Sequence, residues 1–125
     1  DVERSRGLGD VYKRQMFIDP ESSQLEASAN IGAPWVELHT GSFARAWYSV
    51  DRGHKELEKL HHGMEFGISL GLRVNAGHGI NYQNVEGARS MFQIYEFNIG
   101  HSIISRAIST GLNEAVQKMR KMLNE

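Results

Sequence analysis

Apolar residues along the chain fall into two alternating rhythms. Short, nearly continuous apolar runs end in polar residues at MFID (16–19), WVELHT (35–40), 72–76 and 94–98. Runs of this kind bounded by Gly or Pro predict strands. Between them, apolar positions recur at helical spacing. Leu57, Leu60, Met64 and Ile68 are three, four and four apart, which is one face of a helix. Gly71 stands where a C′ glycine closes such a helix. Ser23 with Glu26 has capping-box spacing for a helix that reaches about Ile31 and stops at Gly32. Asn81 predicts the cap of a short helix through Val85 and Ala88, and another short helix starts near Gly100. Thr110 predicts the cap of the last helix, where Leu112, Ala115, Val116, Met119 and Leu123 share a face. Residues 42–53 read as a loop carrying Trp47 and Tyr48.

The order is strand then helix, four times over, with an extra short helix after the last strand. Alternation of this kind predicts an α/β fold with parallel strands and right-handed crossovers. Residues 1–15 stand apart. They are polar, highly charged and aperiodic, and they resemble translated adapter sequence. They are expected to be disordered or a non-native leader, packing against nothing and adding no strand to the sheet.

Composition narrows the function classes. The 125 residues are 40% hydrophobic and 23% charged, with a net charge of −1. That balance gives no reason to expect a nucleic acid or an acidic membrane surface as partner. The chain has no cysteine, so thiolate metal sites and cysteine nucleophiles are excluded.

Chemistry gathers at the strand ends. Each predicted strand finishes in polar or ionisable residues: Asp19; Glu37, His39 and Thr40; Asn75 and His78; Asn98 and His101. In parallel α/β folds these C-terminal ends share one rim, and ligands bind there. Glu37 and His39, two apart on a strand, point to the same side. Glu37 can take part in proton transfer or stabilise developing positive charge, or it is a buried carboxylate satisfied by a neighbouring donor. His78 lies between Gly77 and Gly79, where a substrate can approach closely. It is an acid–base candidate, or a loop histidine that caps backbone groups. Gly100-His101 opens a helix after the last strand, so it is either an anion site or a plain tight turn. His39, His78 and His101 on one rim raise the question of zinc, but their spacing follows no recognised metal pattern. His61 and His62 fall on a helix surface.

From residue 16 onward the chain resembles the pyridoxine 5′-phosphate synthase family. The resemblance rests on FIDP (17–20), IGAPWVELHTG (31–41), LGLRVNAGHGINYQNV (70–85), EFNIGHSIISRA (96–107) and TGLNEAVQKM (110–119). It implies the C-terminal half, four βα units, of a TIM (β/α)8 barrel, within a cytoplasmic homo-octamer. It implies condensation of 3-amino-2-oxopropyl phosphate with 1-deoxy-D-xylulose 5-phosphate to give pyridoxine 5′-phosphate, phosphate and water. No metal or organic cofactor is implied. By the same resemblance His78 is the proton donor, Glu37 the transition-state stabiliser, and Gly79, Gly100 and His101 phosphate contacts. The family's first-half histidine, glutamate and substrate-binding residues have no counterpart in these motifs. Residues 16–125 alone are therefore expected to be inactive and to associate through apolar inward-facing residues: Phe17 or Ile18, Trp35, Val74 and Phe97.

Two rival readings stand beside this one. Another phosphate-binding barrel, a lyase or epimerase, would want a Schiff-base lysine at a strand end, whereas Lys55, Lys59, Lys118 and Lys121 fall in helices. A non-catalytic half-barrel module is the other.

Overall fold

A computed structural model describes residues 14–125. The elements follow in order: β1 (Gln15–Ile18), α1 (Ser22–Asn30), β2 (Trp35–His39), α2 (Gly41–Ala46), α3 (Val50–Ser69), β3 (Arg73–Gly77), α4 (Val85–Ala88), β4 (Phe97–Asn98), α5 (His101–Thr110) and α6 (Leu112–Asn124). Among the described residues the strands form one parallel sheet in the order β1-β2-β3-β4. The α/β alternation and the parallel pairing expected from the sequence are both present, and the sheet is consistent with part of a barrel.

Register divides the sheet into two faces. Met16 and Ile18, Val36 and Leu38, and Val74 and Ala76 line up across β1, β2 and β3 on one face. They join Leu25 of α1 and Leu60 and Met64 of α3 in the main core. The other face carries Phe17, Trp35, Glu37, His39, Arg73, Asn75 and Gly77. This corrects the expectation for Val74 and Phe97. Val74 is 1% exposed beneath the helices, and Phe97, paired with Ala76, packs against the same core. Ile18 also belongs to the helix-covered face, while Phe17, 58% exposed, lies on the other.

The helix α3 buries a slightly different stripe from the one its apolar spacing marks. Leu60 and Met64 are buried, but so are Gly63 and Gly67, while Ile68 is exposed. A Cβ at Gly67 would come within 2.9 Å of Val74 Cγ2, and one at Gly63 within 2.9 Å of Pro20 Cβ. The glycines let the helix approach the sheet closely, and that rotates Ile68 outward.

Other boundaries moved for identifiable reasons. Residues 42–53 are not a loop: α2 and the start of α3 occupy them, and Phe43, 1% exposed, anchors α2 in the core. Trp47 packs edge-on against Phe43, with ring centroids 5.5 Å apart. The α1 helix starts from Glu21, before the Ser23 position, without a side-chain cap. Asn81 does organise the turn before α4: its Oδ1 accepts from the backbone N–H of Gln83 and Asn84. Thr110 is the last residue of α5 rather than the cap of α6. Gly111, with φ 83° and ψ 153°, makes that junction. The strand predicted over 94–98 shortens to Phe97–Asn98. Gln15 pairs with Trp35 in β1, so the strand includes one residue assigned to the leader. Residues 1–13, on which the rest of that expectation falls, lie outside the described residues.

Candidate active site

The strand ends meet on one side of the sheet. Phe17, Glu37, His78, Gly79, Ile80, Asn98, Ile99, Gly100 and His101 line a single open groove of about 540 Å³. The five residues to which the family resemblance gives roles, Glu37, His78, Gly79, Gly100 and His101, are among them, whereas Asp19, His39, Thr40 and Asn75 are not.

Glu37 is held from both sides. Asn98 Nδ2 donates to Glu37 Oε2 at 2.8 Å, across 61 positions of sequence. Gln15 Nε2 donates to the same oxygen, and Gln15 Oε1 accepts from Asn75 Nδ2 at 2.7 Å. The carboxylate lies directly over Gly77 of the neighbouring strand. A Cβ built there would stand 2.3 Å from Glu37 Oε1. Glycine at 77 is thus what leaves room for the carboxylate. The open face has one unmet acceptor beside this network, the buried Oδ1 of Asn75.

His78 has an unusual backbone. Its φ is 83°, and it is the one non-glycine residue among those described with a positive φ. Gly79 follows with φ 79°. Side-chain donors hold four successive carbonyls of this turn. Thr40 Oγ1 lies 2.6 Å from the Gly77 oxygen and 2.5 Å from the His78 oxygen. Asn84 Nδ2 donates to Gly79 at 3.0 Å, and Ser102 Oγ donates to Ile80 at 2.9 Å. The turn is therefore tied to β2, α4 and α5 together.

A second histidine stands against the first. The rings of His39 and His78 lie 4.7 Å apart at 42°. His39 Nδ1 is 3.5 Å from Asp19 Oδ1, and its ring meets Phe17 edge-on at 5.1 Å. Gly41 gives the pair room: a Cβ there would fall 2.7 Å from His39 Cε1 and 3.1 Å from His78 Cδ2. The sequence placed His39 on the rim but not against His78. Among the described residues, no group of three His, Asp or Glu is arranged to hold a metal ion.

Gly100 caps α5, and His101 is the helix's first residue. The first N–H groups of a helix lack intrahelical acceptors and carry the positive end of its dipole. They open beside Gly79 on the groove. The arrangement can therefore bring an anion, an imidazole and a fixed carboxylate to one groove. Thr40, Asn98 and Ser102 complete it. Sequence reasoning gave Thr40 and Asn98 only as polar strand ends, and it passed over Ser102.

Comparison with known proteins fixes the kinship. The family model described as "Pyridoxal phosphate biosynthesis protein PdxJ" matches residues 10–125. The chain belongs to this family. A pyridoxine 5′-phosphate synthase of Prochlorococcus marinus is 53% identical over 108 residues, covering 86% of the chain and 43% of that protein. One from Opitutus terrae is 48% identical over 123 residues, covering 98% and 49%. One from Geobacter sulfurreducens is 49% identical over 106 residues, covering 83% and 43%. The chain thus spans just under half the length of these family members. Among the described residues, no helix is long and apolar enough to cross a membrane.

Proposed function

We propose that residues 16–125 are the C-terminal four βα units of a (β/α)8 barrel. In this reading they contribute half of a pyridoxine 5′-phosphate synthase site. Family membership supports the reaction class, and the outer edges of β1 and β4, which have no further strand beside them among the described residues, support the half-barrel. The observation that carries the site is the single groove shared by Glu37, His78, Gly79, Gly100 and His101.

The substrates are 3-amino-2-oxopropyl phosphate and 1-deoxy-D-xylulose 5-phosphate. A phosphate sits on the N-terminus of α5 beside Gly79, Gly100 and His101. The chemistry between the two substrates is imine formation, elimination and ring closure, and each step moves a proton. His78 gives a proton to the leaving oxygen. Glu37, fixed by Asn98, lies where positive charge builds on the amino-ketone nitrogen. A carboxylate that is already oriented needs little reorganisation as that charge appears. The complementary half-barrel supplies the remaining catalytic groups. The working enzyme is a cytoplasmic homo-oligomer, as in the octameric family arrangement.

Titration of the ¹⁵N-labelled chain with inorganic phosphate tests the anion site. The amides of Gly100, His101 and Gly79 are expected to shift together and saturate. Shifts confined to another region, with Gly100 and His101 unmoved, would remove the phosphate from this groove.

A further inference from the structure

The conformation of His78 needs a cause. A non-glycine residue with positive φ is uncommon, because its Cβ crowds the backbone there, and such residues persist only where their surroundings over-determine them. Gly77 and Gly79 flank His78, so the local chain does not impose this shape. Something outside the turn must.

Thr40 is that contact. It is fully buried at the end of β2. Its backbone N–H donates to the Gly77 oxygen at 2.8 Å. Its hydroxyl lies 2.6 Å from that same oxygen and 2.5 Å from the His78 oxygen. One hydroxyl proton is thus shared between two successive carbonyls, which forces both to point toward β2. Two neighbouring peptides cannot aim their oxygens at one point in an extended chain, where successive carbonyls alternate in direction. The turn through His78 satisfies both. It also sets the imidazole against His39 and along the groove.

We propose that Thr40 is a positioning residue for His78: its buried hydroxyl clamps the Gly77 and His78 carbonyls and so holds His78 in the left-handed conformation that presents its ring to the groove. The consequence for catalysis rests on His78 being the proton donor. The backbone claim does not, and it can be measured without substrate.

The test uses the 125-residue chain and three variants: Thr40→Val, Thr40→Ser and His78→Gly. The one-bond Cα–Hα coupling of residue 78 reports the sign of φ, and a nuclear Overhauser contact reports the His39–His78 ring pair. The parent and Thr40→Ser are expected to show the positive-φ coupling and the ring contact. Thr40→Val, equal in shape but without the hydroxyl, is expected to lose both. An unclamped coupling in the parent, an unchanged one in Thr40→Val, or equal loss in Thr40→Ser overturns the proposal. Should Thr40→Val not fold in buffer, an osmolyte such as TMAO is added to all variants to restore the folded state, and urea unfolding of the cycle with His78→Gly decides. Loss of the hydroxyl should raise the unfolded fraction about tenfold when residue 78 is Gly and only about twofold when it is His, because releasing the clamp lets His78 leave its strained positive φ and returns that energy. Equal effects in the two backgrounds would show that the hydroxyl serves the fold and not the conformation of His78.

Discussion

Replacing Gly77 with alanine separates the position of a carboxylate from the stability of the fold. Gly77 is not among the residues with positive φ, so alanine there meets no conformational penalty and only its Cβ matters. That atom would stand 2.3 Å from Glu37 Oε1, 2.9 Å from the Asn98 oxygen and 3.1 Å from Asn98 Cβ. The first two contacts cannot persist, and the second is to backbone, so β4 shifts a little whatever Glu37 does; the third asks Asn98 to give by a few tenths of an ångström.

The clash with Glu37 itself has two ways out. Either β4 moves much further, or Glu37 swings away. The carboxylate is the end of a flexible side chain beside an open groove, whereas β4 is backbone hydrogen-bonded to β3. The carboxylate therefore moves. In moving it gives up the 2.8 Å bond from Asn98 and the bond from Gln15 but gains water in exchange. The net cost to stability is then about 2–3 kcal/mol, made of overpacking and two exchanged hydrogen bonds. The cost to chemistry is larger. A catalytic group displaced by about 1 Å loses roughly a hundredfold in rate. Gly77→Ala should therefore lower turnover about a hundredfold while leaving the protein folded, with the urea midpoint lowered by about 1 M.

The assay needs a complete barrel, made by replacing the matching half of the Prochlorococcus marinus relative with residues 16–125. Turnover is followed as pyridoxine 5′-phosphate formed, and Glu37→Gln serves as the reference for a carboxylate lost without crowding. Turnover within about threefold of the parent would refute the reasoning, since Glu37 would then either tolerate displacement or take no part. A loss of more than about 4 kcal/mol would also refute it, because the backbone would have yielded in place of the side chain.

Two further outcomes are expected. In the same complete barrel, His78→Ala should reduce turnover by about two to four powers of ten, the range for a lost general acid, with little change in folding because the exposed ring carries little packing; near-normal turnover would return His78 to a backbone-capping role. Residues 16–125 alone should form no product above the uncatalysed background, and adding a matching N-terminal half should restore some; robust turnover by these residues as a monomer would contradict the half-barrel.

The rim was legible because parallel βα units place every strand's C-terminal end on one side. Knowing only the order of elements, Glu37, His78, Gly79, Gly100 and His101 could be brought together without any distance. What holds them was not legible. The bond from Asn98 to Glu37 joins residues 61 positions apart, and its existence depends on β4 lying beside β3 and β3 beside β2. Thr40 reads in sequence as an ordinary β-branched strand end, since nothing local marks a hydroxyl that will meet two carbonyls from another strand. The α2 helix was hidden for a related reason. Its six residues bury only Gly41 and Phe43, too little for a periodic signal, and its helicity comes from where Phe43 docks.

The face assignment failed differently, and its correction changes what the open side of the sheet is made of. Strands covered on both faces read as continuous apolar runs, so alternation cannot tell which residues point inward. One register anchor resolves it. Glu37 pairs with Asn75, so Asn75 shares its side and Val74 must take the other. The inner face then consists of Phe17, Trp35, Glu37, His39, Arg73 and Asn75, a polar and aromatic surface instead of an aliphatic one. Trp35, 7% exposed, lies 4.9 Å from the Tyr95 ring, and the Arg73 guanidinium sits 5.0 Å from the indole. The aliphatic residues of β2 and β3, Val36, Leu38, Val74 and Ala76, are already under the helices. What the open side would offer the proposed complementary half is polar and directional: the unmet Oδ1 of Asn75 and, among the described residues, the outer edges of β1 and β4. Hydrogen-bonded edges and buried acceptors reward one register and penalise the rest, since a slip of one residue turns every side chain to the wrong face. In the proposed half-barrel, closure would therefore be selected by register, the same register that fixes Glu37 over Gly77.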